Sequence, residues 1–140
     1  MNESEKQKSI HIRCEFRDCH NCCLDTQMIL TNEDLSRIEK SGHSRKEFCL
    51  PRSEPDNFWQ LRNINGRCFF LDNEGRCTIY SIRPFGCRVY PLVYEPSDDD
   101  ILIDEDCREV VWFSKQKYEE EQVNFVRELG KTLIKEAKRE

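Results

Sequence analysis

Apolar residues along this chain come in short bursts between polar turns, and only the C-terminal part keeps one pattern for long. After a polar lead-in over 1–13, the alternation of Ile10, Ile12 and Cys14 predicts a short strand. Met28, Ile29 and Leu30 run into Thr31, an N-cap candidate with Asp34 at the third helical position. A helix over 32–41 follows, closed by Gly42, with Leu35 and Ile38 as its buried face. Ser44 with Glu47 repeats the capping pattern and predicts another helical turn through Phe48 and Cys49 before Pro51, with a loop over 51–57.

The middle of the chain changes period. Phe58 to Ile64 is rich in aromatic and branched residues, Asn65-Gly66 is a strong hairpin signal, and Arg67 to Leu71 continues as a second strand. Asp72 to Gly75 is a turn and Arg76 to Tyr80 a short β-prone run, so Cys68 and Cys77 flank a tight reversal that brings their sulfurs together. Arg83 to Cys87 predicts a turn or single helical turn, Val89 to Tyr94 a strand, Asp98 to Asp100 a solvated acidic loop and Ile101 to Ile103 a brief apolar strand. From Ser114 the pattern is helical to residue 139, with Tyr118, Phe125, Val126, Leu129, Leu133 and Ala137 on one face. Lys131, Lys135, Lys138 and Arg139 suit the negative end of that helix dipole. The expected fold class is α+β: one small, irregular, metal-stapled domain over 1–140, with short strands and hairpins, a short helix in the N-terminal half and a long C-terminal helix.

Composition explains the need for a staple. With 37% hydrophobic and 35% charged residues the apolar core is modest, and metal ligation is one supplement to it. A net charge of −5 argues against nucleic acid as a partner, whose binding calls for a broad basic surface. Met1 to Ile12 has no apolar segment behind a basic start, and no stretch approaches the roughly 18 to 20 apolar residues of a membrane span. A cytoplasmic protein without membrane insertion is expected. In a reducing compartment clustered cysteines bind metal or do redox work more often than they form disulfides.

The nine cysteines carry the chemistry. Cys49, beside Phe48 and Leu50, reads as a small buried core residue. The remaining eight are Cys14, Cys19, Cys22, Cys23, Cys68, Cys77, Cys87 and Cys107, the number required by two tetrathiolate centres of iron–sulfur or zinc type. Adjacent Cys22 and Cys23 diverge in a relaxed backbone and suit two different centres. Arg13, Arg67 and Arg76 precede cysteines and Arg88 and Arg108 follow them, cations that would lower thiolate pKa and offset the charge of a tetrathiolate site. His20 reads as a neighbour of the ligands rather than one of them. Trp59, Tyr80, Phe85, Tyr90 and Trp112 read mainly as core, with shielding of a cluster as the second use. The acidic run at 98–106 lacks the spacing of a calcium loop.

Cys14, then Cys19-His20-Asn21-Cys22-Cys23, and later Cys68-Phe69-Phe70-Leu71, Cys77-Thr78-Ile79-Tyr80, Arg83-Pro84-Phe85-Gly86-Cys87-Arg88 and Tyr90-Pro91 resemble the cysteine-cluster proteins described as zinc- or iron-chelating domains and often called YkgJ-type. The resemblance covers residues 14 to 107 and implies that the eight cysteines are ligands of zinc or an iron–sulfur cluster. Four residues separate Cys14 from Cys19, which differs from the shortest family pattern. One branch of the family is linked to methylation of flagellin lysines, but this chain shows no Gly-x-Gly-x-x-Gly loop for a methyl donor and has five glycines in all.

The expected function is an iron–sulfur protein with one or two 4Fe–4S centres, a redox or oxygen-responsive accessory protein that docks on a larger protein complex and is not itself an enzyme. The alternatives are a structural zinc module that binds a partner protein, and, last, a protein-lysine methylase-like enzyme.

Overall fold

The computed structural model describes Leu24, residues 27–53 and residues 55–138. The expected strand at Ile10 to Cys14 lies outside them.

The chain begins with β1 (Ile29–Leu30) and α1 (Asn32–Lys40). Thr31 is extended at φ −79°, ψ 164°, and its hydroxyl accepts the Asp34 N–H at 2.9 Å while Asp34 Oδ2 accepts the Thr31 N–H at 3.0 Å. This reciprocal capping box satisfies two donors that a helix start leaves without partners. Gly42 takes φ 110° just past the helix, where a left-handed residue is needed, and its N–H donates to the Glu39 carbonyl. Leu35 and Ile38 are buried, as the periodicity predicts.

α2 (Arg45–Phe48) is a single turn, and β2 (Cys49–Leu50) follows at once. Ser44 occupies the N-cap position but makes no side-chain cap, and Cys49 is extended at φ −129°, ψ 136°. Cys49 is therefore not helical: pairing with Leu61 across β3 (Trp59–Leu61) competes successfully for its backbone. β3 runs between β1 and β2 in a three-stranded antiparallel sheet, so Ile29 and Leu30, expected only as a lead-in, form its first strand.

The two strands expected over 58–64 and 67–71 are shorter. β4 (Asn63–Ile64) and β5 (Arg67–Cys68) form the predicted hairpin, with Asn65 at φ 53° and Gly66 at φ 77° supplying the two positive φ values of a type I′ turn. Pairing then lapses until an isolated bridge between Leu71 and Cys77. Asp72 Oδ1 accepts the N–H groups of Glu74 and Arg76, both at 2.9 Å, and fixes the turn between them. Arg76 to Tyr80 is not a strand; the Thr78 N–H donates to the Phe70 carbonyl, the Tyr80 N–H turns back to the Cys77 carbonyl, and a 3₁₀ turn at Tyr80–Ile82 leads to Pro84.

α3 (Phe85–Val89) is longer than the single turn expected at Cys87 and takes Val89 out of the predicted strand. The Pro84 carbonyl accepts from Cys87 and Arg88, the Gly86 carbonyl accepts from Tyr90, and Pro91 has no N–H with which to continue. β6 (Leu92–Glu95) and β7 (Asp100–Ile103) then pair from Leu92 with Ile103 to Glu95 with Asp100. The acidic loop is the tip of this hairpin. Asp99, at φ 50°, accepts the Tyr94 hydroxyl at 2.8 Å and faces Arg127 at 3.5 Å.

A short helix outside the expectation, α4 (Val110–Ser114), ends where the C-terminal helix is expected to begin, and that helix starts later, as α5 (Glu120–Ala137). Glu119 is extended and forms a capping box with Gln122, which starts α5 afresh. Tyr118, expected as the first apolar position of one long helix, lies outside both and donates its hydroxyl to the Phe113 carbonyl at 2.7 Å. At the other end, Arg52 Nη2 donates to the carbonyls of Glu136 and Ala137, each at 3.0 Å.

Apolar packing gathers in two clusters. One holds Leu30, Leu35, Ile38, Phe48, Cys49, Leu61, Cys68, Phe70 and Ile79; the other holds Phe85, Val89, Leu92, Cys107, Phe113, Phe125 and Val126. α5 packs on the β6–β7 hairpin at Gly130, where a Cβ would collide with Tyr94. Among the described residues the architecture is α+β with a long C-terminal helix, as expected. No helix among them is long and apolar enough to cross a membrane.

Candidate metal centre

Cys14, Cys19, Cys22, Cys23 and His20 lie outside the described residues. The other four candidate ligands sit on four different local devices. Cys68 ends β5 opposite Asn63 and is 7% exposed. Cys77, half-buried, is bridged to Leu71 across the Asp72 turn and packs against the same cluster as Cys68, so the reversal brings these two cysteines into one neighbourhood. Cys87 is the third residue of α3 and half-buried, between Phe85 and Val89 of the other cluster. Cys107 belongs to that other cluster and is 8% exposed, its N–H held by the Asp104 carbonyl at 3.1 Å.

Cys49 behaves as the core residue the sequence predicts. It is 3% exposed, its thiol donates to the Leu50 carbonyl at 3.3 Å, and burial pushes its pKa up, against the opposing pull of Arg45. A raised pKa disfavours the thiolate, the form that binds metal.

The flanking arginines have separate duties. Arg67 donates to the Asp72 carbonyl at 2.6 Å and braces the turn, whereas Arg76 is exposed beside Glu74 at 3.5 Å and Arg108 is exposed. Arg88 is buried, with its guanidinium 4.9 Å from the Phe85 ring centre. Burial pulls its pKa down, and the neighbouring charges of Arg37 and Arg83 act in the same direction. Among the described residues three arginines, Arg37, Arg83 and Arg88, thus gather around α3, and Arg13 lies outside them. Tyr118 reports on Cys107 in a similar way: burial raises its phenol pKa first, and the Cys107 thiolate adds to the rise.

Phe85 lies among Arg37 (4.7 Å), Arg88 (4.9 Å) and Phe125 (5.8 Å between rings). Trp59 lies within 5.1 Å of the Arg45 guanidinium and 5.5 Å of that of Arg52. Tyr80 is 65% exposed under Arg83, so it gives little shielding.

The sequence pattern missed the support beneath Cys87. Asp34 is wholly buried, and beyond its cap it accepts the Phe85 N–H at 3.0 Å and Arg37 Nη2 at 2.7 Å, both on Oδ1. Arg37 in turn donates to the carbonyls of Ile82 (3.2 Å) and Arg83 (3.0 Å). The spacing of Asp34 and Arg37 suggests an i,i+3 pair on one helix, but no spacing signals a bond to residue 85. Met28 packs on the same helix, where a Cβ at Gly86 would meet its Sδ and push the methionine side chain aside.

Among the described residues no three histidine, cysteine, aspartate or glutamate side chains form a metal-binding group. The donor set nonetheless fits a soft metal: thiols in apolar surroundings, with a cationic cluster at α3 suited to an anionic thiolate centre. Arg37 Nη1 is a buried donor without an acceptor among the described residues.

A family model named CxxCxxCC and described as "Putative zinc- or iron-chelating domain" matches residues 13–121. An archaeal relative, "Uncharacterized protein MJ0661" of Methanocaldococcus jannaschii, is 27% identical over 108 residues, 73% of this chain. The chain spans about half (52%) of that relative's length. No solved structure matches.

Proposed function

Since the chain belongs to the CxxCxxCC family of zinc- or iron-chelating domains, we propose that the metal it holds is an iron–sulfur centre. One or two 4Fe–4S clusters would be ligated by Cys14, Cys19, Cys22, Cys23, Cys68, Cys77, Cys87 and Cys107. The observation that carries this reading is the placement of the four described cysteines: Cys68 and Cys107 are buried, Cys77 and Cys87 half-buried, and all four are on or beside apolar clusters. The Cys14 to Cys23 block, which lies outside the described residues, would supply the other four thiolates. When bound, such a cluster supplies one-electron chemistry. The chain's part is to hold thiolates, exclude water with the Phe85 and Tyr118 side of the second cluster, and set the local charge through Arg37, Arg83 and Arg88.

An accessory role on a larger protein complex follows from the same reading. Val93 and Leu102 are paired across the β6–β7 hairpin and exposed, and Glu95 pairs with Asp100 two residues on, a combination suited to a protein surface with a basic rim.

Anaerobic purification followed by iron, zinc and acid-labile sulfide analysis tests the proposal. Roughly four or eight iron per chain with matching sulfide and a visible charge-transfer band is the expected result. Stoichiometric zinc without sulfide would refute it and leave a structural zinc module.

A further inference from the structure

The Cys87 thiol reaches its place through contacts made far away in sequence. α3 has five residues, too few to hold its own direction by local hydrogen bonding alone. Its first N–H, that of Phe85, goes to Asp34 Oδ1, and the two carbonyls just before Pro84, those of Ile82 and Arg83, both go to Arg37. Asp34 and Arg37 are themselves locked: Asp34 takes three hydrogen bonds on two oxygens with no exposure to solvent, and one of the donors is Arg37 Nη2. The start of the Cys87 helix is thus gripped on a donor and on two acceptors by one rigid pair on α1. The Met28 side chain packs against Gly86 of the same helix.

We propose that Asp34 and Arg37 are positioning residues for the metal centre: neither is a ligand, and together they set the direction from which Cys87 presents its sulfur. This rests on Cys87 being a ligand, as argued above. The pair acts as an outer layer of the site, holding the backbone on either side of Pro84 rather than the metal itself.

The experiment is an anaerobic Co²⁺ titration of the full, metal-free chain, read as the thiolate-to-cobalt charge-transfer band and competed with a chelator. Four variants are compared: Asp34→Asn, Arg37→Lys, Thr31→Ala and Cys87→Ser. Asp34→Asn keeps the shape of the side chain but sets an NH₂ donor against donors. Arg37→Lys keeps the charge and loses the fork that reaches two carbonyls. Thr31→Ala breaks the same capping box without touching the Phe85 bond, so it controls for lost stability. The expected result is that Asp34→Asn and Arg37→Lys weaken Co²⁺ binding by about 10- to 100-fold, whereas Thr31→Ala binds like the parent.

Equal weakening by Thr31→Ala would overturn the proposal, since general destabilisation would then account for the effect. So would parent-like binding by Asp34→Asn and Arg37→Lys while Cys87→Ser loses affinity, a result that leaves the ligand assignment standing. Unchanged binding by Cys87→Ser would remove Cys87 from the ligand set, and both readings would fall together. Should Asp34→Asn fail to fold, Arg37→Lys decides the matter.

Discussion

Gly130 gives the sharpest test of the packing, because sequence and structure predict opposite signs for the same substitution. In the interior of an exposed helix, Gly130→Ala would stabilise by about 1 kcal/mol through helix propensity. In this fold a Cβ at residue 130 falls within 2.5 Å of Tyr94 Cβ and Cγ. Overfilling a packed contact costs about 1–3 kcal/mol. The upper end applies here, because Tyr94 Cβ is fixed to the β6 backbone and no rotamer change moves it away. The helix must lift off the hairpin, exposing part of the cluster that holds Leu92, Phe125 and Val126. The net prediction is a loss of about 2 kcal/mol. With an unfolding entropy of about 2.1 cal/mol/K per residue and 140 residues, that lowers Tm by about 7 °C. Thermal and urea unfolding of the reduced, metal-free protein, followed by far-ultraviolet circular dichroism, measures it. An unchanged or higher Tm would refute the reasoning. The control is Tyr94→Gly, since Tyr94→Ala would retain the offending Cβ. In the Tyr94→Gly background the second change, Gly130→Ala, should become stabilising by up to about 1 kcal/mol.

Other expectations follow from single contacts. Arg52→Met removes the Arg52 donor to the Glu136 carbonyl, leaves Ala137 with Asn57 Nδ2, frees the Asn57 carbonyl and should cost about 1–2 kcal/mol, with faster hydrogen exchange in the last turn of α5; uniform exchange along α5 would count against it. Cys49→Ser places a hydroxyl in the first cluster and should cost about 1–3 kcal/mol while metal per chain stays at the parent value; loss of metal would make Cys49 part of the centre. Asp72 has its pKa lowered, chiefly by the Arg76 N–H and then by that of Glu74, so its turn is fully braced above the ordinary carboxylate range and loosens as pH falls through the depressed value. Amide shifts of Glu74 and Arg76 followed from pH 6 to pH 2 should report a midpoint below about 3.9, the value for an unperturbed aspartate, and a midpoint at or above it would be the contrary result.

Features governed by neighbouring residues were legible in the sequence. Thr31 with Asp34, Asn65 with Gly66, and Leu35 with Ile38 each specify their own turn or face within four residues, and each stands where the pattern places it. The failures come from partners that the apolar period does not register, one distant in sequence and the others only a few residues away. Cys49 leaves its helix because β3 offers it a pair, and Val89 is the last residue of the short helix that starts after Pro84, whose carbonyl accepts from Cys87 and Arg88. The C-terminal helix starts after 115–119 because Glu119 and Gln122 cap it there and Tyr118 turns back to Phe113. Apolar period alone cannot register such a late start, since Tyr118 fits the same face.

The same division runs through the site. Cysteine spacing reveals which atoms can bind metal, because ligand chemistry is carried by the residue itself. It does not reveal what aims them. Cys87 depends on a carboxylate 51 residues earlier, which the sequence presents only as a helix cap. One apolar cluster carries Cys68 and is backed by Cys77, the other carries Cys107 and the neighbours of Cys87, and α3 packs against β1 of the first as well as α5 and β6 of the second. A centre that recruited thiolates from both neighbourhoods would cross-link two modest cores through sulfur. Its binding free energy would then be folding free energy, and Asp34 and Arg37 already tie the same two regions by hydrogen bonds. On this argument metal removal should loosen the contact between α1 and α3 first, ahead of the α5–hairpin contact that Gly130 and Tyr94 close.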